Sequence, residues 1–170
     1  MLELLQVFFF MNLIGVNMNK VYLGKYVNTH GLKGEIRILS NFEYKDKVFK
    51  IGNKIIINNV EYTLTSHRVH KVYDMITLDG IDSIDKIPFP KNISVYVDRD
   101  AYLDTNDYLD SDLIGFMVYN SKLSEMVTDI LYLTTNKKLL KCNTKLIPFE
   151  LIENVDLKNK KIKIMEVLGL

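Results

Sequence analysis

Apolar residues in this chain arrive in short bursts rather than at a helical spacing, and that punctuation limits the folds open to it. Segments 21–27, 35–40, 54–57, 61–69, 74–78 and 93–97 are rich in Val, Ile, Tyr and Thr, and Gly, Asn or Asp bounds them. β-Branched and aromatic side chains suit a pleated, half-buried surface, and the bounding residues accept turn geometry. About six such runs within roughly eighty residues predict a closed barrel, because closure removes the unpaired edges that a small open sheet would expose. Helix signals are weak throughout.

The composition changes between residues 98 and 112, where VDRDAYLDTNDYLDSD is dense in Asp with Asn, Ser and Thr between. Such a stretch favours a solvated connector over core. Strand patterning then resumes at 113–119, 126–133, 138–142, 145–148 and 161–166, and Asn159 with its lysine neighbours reads as a hairpin turn before the last run. The sequence therefore predicts an all-β protein of two small β-barrels joined by an acidic linker, with a first domain over 18–98, the linker over 99–106 and a second domain over 107–170. With few apolar anchors, the connector is expected to move before a partner binds.

Residues 1–17, MLELLQVFFFMNLIGVN, have an apolar centre too short to span a bilayer and lack the basic flank of a secretory signal. They read as a non-native or disordered extension ahead of Met18, and no membrane role is expected. Cys142 is the only cysteine, so no intrachain disulfide can form, which fits a reducing cytoplasm. Its polar, strand-like surroundings predict a half-buried, inert thiol.

The formal net charge of +1 conceals an uneven distribution. Residues 19–54 hold 8 Lys/Arg against 3 Asp/Glu, residues 55–112 hold 5 against 11, and residues 113–170 hold 9 against 6. Opposite potentials on different faces would suit a partner that offers both phosphates and basic protein.

The stretch GKYVNTHGLKGEIRI, residues 24–38, joins two β-type runs through a compact turn. Gly31 and Gly34 fit a tight strand connection, since glycine takes positive φ without steric cost. His30, Lys33, Glu35 and Arg37 cluster on or beside that turn, and His, Lys and Arg side chains hydrogen-bond to phosphate or carboxylate. The order G-K-x-x-x-x-H-G-x-K-G-E-x-R resembles the N-terminal signature of the RimM family of ribosome maturation factors. DYLDSDLIGFMV, residues 107–118, is similar to the opening of that family's C-terminal domain: Asp107, Tyr108, Asp112, Leu113 and Gly115 match, and Leu109 departs from an aromatic position. LIPFELIENVDLKNKKIKI, residues 146–164, resembles its closing segment, as does the terminal Gly169–Leu170 pair. With RVHK and DGID between them, the likeness spans residues 19–170.

The resemblance implies an N-terminal six-stranded barrel, a C-terminal PRC-type barrel and a non-enzymatic accessory protein. Such a protein binds the assembling small ribosomal subunit in its head region, where it touches the nineteenth small-subunit protein and nearby rRNA. It promotes maturation of the subunit and rRNA processing as a cytoplasmic monomer without a cofactor. One departure concerns SIDKIPFPKN, residues 83–92, where Pro88 and Pro90 forbid the short helix that the family carries. The region near Lys137 is also shorter than usual.

No catalytic constellation stands out. His67 and His70, three apart in a strand-like stretch, are expected on opposite faces of a strand surface, not converging on a metal. The carboxylates Asp110 and Asp112 lack an arguable pocket and read more simply as a flat acidic recognition strip. Tyr108, with Leu109, Asp110 and Asp112, is the expected protein-partner surface, because tyrosine offers rigid apolar area and a polar tip at small entropic cost. Lys25, His30, Lys33 and Arg37 are the expected rRNA contacts, and Gly31, Gly34 and Gly115 the expected turn glycines. Barrels of this size also host flavins and other cofactors, or serve as scaffolds unrelated to ribosomes, and these are the alternatives to a maturation factor.

Overall fold

The structure is a computed structural model and describes residues 19–134 and 137–167; the expected extension over 1–17 and the closing pair 169–170 lie outside the described residues. The described chain is mostly strand with a few short helical turns, and it divides between Asp104 and Thr105 into two compact units. No helix among the described residues is long and apolar enough to cross a membrane.

The first unit comprises β1 (Lys20–His30), β2 (Glu35–Leu39), β3 (Lys54–Ile57), β4 (Val60–His70), β5 (Tyr73–Leu78) and β6 (Ser94–Asp98), with the short helices α1 (Lys45–Val48) and α2 (Arg99–Tyr102). The order is β1-β2-β5-β4-β3-β6, and β6 pairs with β1, so the pairing returns on itself as a ring. β1 serves both neighbours because its ladders shift register at Tyr26/Asn28 and at Tyr22/Gly24, and such bulges bend a strand. Alternation sorts the faces: Ile36, Ile38, Val95 and Val97 are all 0% exposed inside the ring, whereas Arg37, Leu39 and Tyr96 face outward.

Among the described residues of this unit, one charged side chain lies inside. Asp74 stands opposite Ile38 and is 2% exposed. α1 delivers Lys45, whose Nζ is 2.7 Å from Asp74 Oδ2, and His67 Nε2 lies 3.0 Å from Oδ1. A buried carboxylate without such partners would carry a large desolvation cost. His70 is exposed, as a strand-surface histidine should be, but His67 turns toward Asp74 and stacks on Phe49 at 5.0 Å. The Pro-interrupted loop forms only a single 3-10 turn, Ile84–Lys86; it brings in Phe89, which packs edge-on against Tyr26 at 5.4 Å and Tyr62 at 5.5 Å.

Much of the expected linker is held against this unit. Asp98 caps α2 by accepting the Asp100 N–H at 3.1 Å. The Tyr102 hydroxyl accepts the Lys54 N–H at 2.7 Å and donates to the Lys54 carbonyl at 3.0 Å, in place of a neighbouring strand. Lys47 then pairs with Asp104 at 2.7 Å.

The second unit comprises β7 (Met117–Tyr119), β8 (Ser124–Tyr132), β9 (Lys138–Cys142), β10 (Leu146–Pro148), β11 (Ile152–Asp156) and β12 (Lys161–Ile164). These form a six-stranded sheet in the order β10-β9-β8-β7-β12-β11, with β12 parallel to β7 and the other pairs antiparallel. Its core gathers Leu113, Phe116, Val118, Val127, Leu140, Ile147, Ile162 and Ile164. Two expectations are corrected here. Residues 113–116 belong to a 3-10 turn and its exit rather than to a strand, and β11 is a strand that the sequence pattern did not announce. IENVD carries Glu, Asn and Asp, which strands disfavour, and among the described residues it pairs only with β12. Cys142 is buried rather than half-buried, at 4% exposure, and burial first and the Glu125 charge second push its thiol up to about 11.

Candidate functional site

The turn between β1 and β2 is set by its glycines. Gly31 has φ +66° and Gly34 φ +75°, both in the left-handed region. A Cβ at Gly31 would meet nothing within 4 Å, whereas one at Gly34 would lie 2.9 Å from the Ile81 carbonyl oxygen. The 81–84 loop packs on the turn there, and the Ile84 N–H donates to the Leu32 carbonyl at 3.0 Å.

That turn presents His30 and Arg37 together. Arg37 Nη2 is 2.8 Å from His30 Nδ1, while Arg37 Nε is buried with no hydrogen-bond partner among the described residues. Two residues that the sequence reasoning did not select complete the cluster. Arg68, on β4, forks onto Glu35, and the His70 ring lies 6.3 Å from that of His30. In register, Arg37 and Arg68 flank Met75, which is 0% exposed beneath them. The Arg68 hydrogen bond, helped by the charges of Arg68, His30 and Arg37, holds the Glu35 carboxyl below its usual range, and Glu35 in turn raises Arg68. Guanidinium and imidazole groups gathered on one face around a single carboxylate can receive an anionic ligand by charge-assisted hydrogen bonds. Of the expected rRNA contacts, Arg37 and His30 are therefore joined. Lys33 is exposed in the turn, and Lys25 lies further back along β1, opposite Leu39 and Ser94. The pairing of β2 with β5 and of β5 with β4 is what brings Arg68 and His70 near, and no local spacing encodes it.

In the second unit, the expected acidic strip does not form as a flat surface. Leu109 is 7% exposed and Asp110 6%. Asp110 Oδ2 is 2.6 Å from Lys138 Nζ and accepts the Tyr132 hydroxyl at 3.1 Å. Asp112 caps the 3-10 turn Asp110–Leu113 by accepting the Leu109 N–H at 2.8 Å. Two of the selected carboxylates thus hold the turn, as its capping group and as its tie to β8 and β9. Gly115, at φ +87°, lets the chain leave that turn, and its N–H donates to the Val127 carbonyl at 2.8 Å. Tyr108 is partly buried against the core and borders a groove of about 660 Å³ shared with Thr105, Asn106, Asn154, Val155 and Leu157. Asp156 and Lys158 also line it, so the groove combines apolar walls with amide and charged groups. Among the described residues, no group of three or more His, Cys, Asp or Glu side chains is placed to hold a metal ion.

The profile of the RimM N-terminal domain matches residues 21–102. The chain is 37% identical over 164 residues to the ribosome maturation factor RimM of Staphylococcus aureus strain bovine RF122 / ET3-1, covering 89% of this chain and 98% of that protein. It has the same identity and coverage with the protein of that name from Staphylococcus aureus strain NCTC 8325 / PS 47. A crystal structure from Pseudomonas aeruginosa bearing the name 16S ribosomal RNA processing protein RimM aligns over 85% of this chain and 96% of that chain, with 17% identity and a TM-score of 0.43.

Proposed function

The chain belongs to the RimM family, and we propose from this premise that it is a ribosome maturation factor acting on the assembling small subunit and on processing of its rRNA. The observation that carries the reading is the 37% identity to proteins of that name across 89% of the chain. In this reading the factor is a non-enzymatic, cytoplasmic monomer that binds the subunit head, touching the nineteenth small-subunit protein and adjacent rRNA. The ordered motifs at 24–38, 107–118 and 146–164 support that assignment, and they support taking the second sheet as a PRC-type barrel behind an N-terminal barrel.

The two candidate surfaces divide the work. Arg37 and His30, with Lys25 and Lys33, face rRNA phosphates, and the pairing of Arg68 and His70 with that cluster strengthens its suitability for anions. Tyr108 is the anchor for the ribosomal protein, and Leu109, Asp110 and Asp112 act by shaping the turn that presents it.

Cosedimentation tests the reading. The purified protein is expected to travel with free small subunits from cells in active growth and not with translating ribosomes, and to be released as salt rises, because phosphate contacts displace counterions. Equal occupancy of translating ribosomes, or binding indifferent to salt, would overturn it.

A further inference from the structure

A second feature of the first unit lies away from the His30–Arg37 cluster, on the outer face of β1, β6 and β3. Ile56, Tyr96 and Tyr22 stand opposite one another in one row across these three strands. Side chains directly opposite share a face and touch, and the two tyrosine rings meet at 6.0 Å with their planes 77° apart. Ile56 is 5% exposed, yet Tyr96 is 37% and Tyr22 54% exposed, so much of this aromatic surface meets water. Lys20, opposite Asp98, and Lys25, opposite Ser94, flank the row along the same face of β1. Asp98, which accepts the Asp100 N–H, offsets Lys20 from the opposite strand, and Lys54 pairs with Glu61; Lys20 also reaches the Asn59 Oδ1 at 3.2 Å, and Lys25, opposite the neutral Ser94, adds positive charge at the other end of the row.

Exposed tyrosines on a sheet with lysines to either side match what an unpaired nucleic acid offers: every base has a π face, and every linkage carries a charge. A duplex keeps its base faces stacked on one another and cannot use such a surface. We propose that the Tyr22–Tyr96 row is a stacking platform for unpaired bases of single-stranded RNA, with Lys20 and Lys25 contacting the flanking phosphates. This rests on the reading of the chain as a factor acting on small-subunit rRNA, and it accounts for Lys25, which the His30–Arg37 cluster leaves aside. The edge-to-face ring packing beside Ile56 would by itself be met equally well by leucines as apolar cover, and that difference is the basis of the test.

The full-length protein is titrated into a single-stranded oligoribonucleotide carrying 2-aminopurine, and into the same strand in a duplex. Quenching of the probe is expected with the single strand and not with the duplex. Replacing both rings by leucine (Y22L with Y96L), which keeps the apolar cover, is expected to weaken binding about tenfold and abolish quenching with the melting temperature unchanged. Tyr22→Phe is expected to retain both. Should the leucine variant melt early, Lys20→Ala with Lys25→Ala decides: a shallower salt dependence on the same strand is expected. Absence of quenching, equal affinity for duplex, unaltered binding by the leucine variant, or an unchanged salt slope in the lysine variant would each overturn the platform. Cosedimentation separates this from the family function: a leucine variant that binds free small subunits like wild type, together with failure of the oligonucleotide assay, removes the platform alone, whereas wild type that ignores small subunits removes the family reading.

Discussion

Arg68 forks onto Glu35, its Nε 2.8 Å from one carboxylate oxygen and its Nη2 2.6 Å from the other. The Glu35 side chain is only 16% exposed, so this pair is sheltered on one side and strengthened by its two-point geometry. Arg68 holds the Glu35 carboxyl below its usual range. A depressed folded-state value means that the pair contributes stability above the unfolded carboxyl pKa of about 4.3, and that the contribution is lost as pH falls through the lower folded value. Glu35→Gln is therefore expected to cost on the order of 1 kcal/mol at neutral pH, discounted because Arg68 is half exposed. Urea midpoints of wild type and variant should converge in acid. A gap that persists unchanged at about pH 3 would show that the ionised pair is not its source.

The two turn glycines separate conformational from steric demand. Gly31→Ala meets only the left-handed backbone and is expected to cost about 1 kcal/mol, the lower end of the penalty for an L-residue there. Gly34→Ala carries the same penalty and also places a methyl 2.9 Å from the Ile81 carbonyl oxygen, which is backbone and moves only with its loop. Overpacking adds roughly 1–3 kcal/mol, so Gly34→Ala should be clearly the more damaging by chemical denaturation. Equal losses at the two positions would mean that the 81–84 loop yields freely.

The strand runs and the turn glycines were legible in the sequence because each is a local matter. β-Branched clusters name β2 and β3 within a residue of their ends, and positive φ at Gly31 and Gly34 follows from a tight connection. β11 was not legible, since an outer strand made of Ile, Glu, Asn, Val and Asp shows neither alternation nor strand-favouring composition. Site residues fared according to whether their partners are near in the chain. His30 and Arg37 meet across one turn, but Arg68 reaches Glu35, and Asp110 reaches Lys138, only through pairings of distant strands. The same cause misplaced His67: a strand histidine reads as surface until α1 is seen bringing Lys45 to Asp74 beside it.

Asp110 offers a sharp contrast between a recognition group and a structural one. With Asp110 6% exposed, paired with Lys138 and accepting from Tyr132, Asp110→Ala removes the acceptor that this cation and hydroxyl share. The expected cost is about 2 kcal/mol, below the range for a fully buried pair because Lys138 is 35% exposed. Thermal unfolding followed by near-ultraviolet circular dichroism measures it. A variant that melts like wild type while losing its partner would restore Asp110 to the binding surface.

Tyr108 carries the complementary prediction. Its ring lines the groove beside Val155 and Leu157, so truncation removes one wall of the groove while leaving the Asp110–Lys138 tie in place. Tyr108→Ala is expected to weaken binding to the purified nineteenth small-subunit protein by on the order of 2 kcal/mol, the scale of an interface hot spot. Tyr108→Phe should lose far less if ring area rather than the hydroxyl dominates. Titration calorimetry at fixed salt reads both variants against wild type, with melting temperature checked in parallel. Unchanged affinity in the alanine variant would move the protein contact off this groove, and a loss matched by the phenylalanine variant would assign it to the hydroxyl.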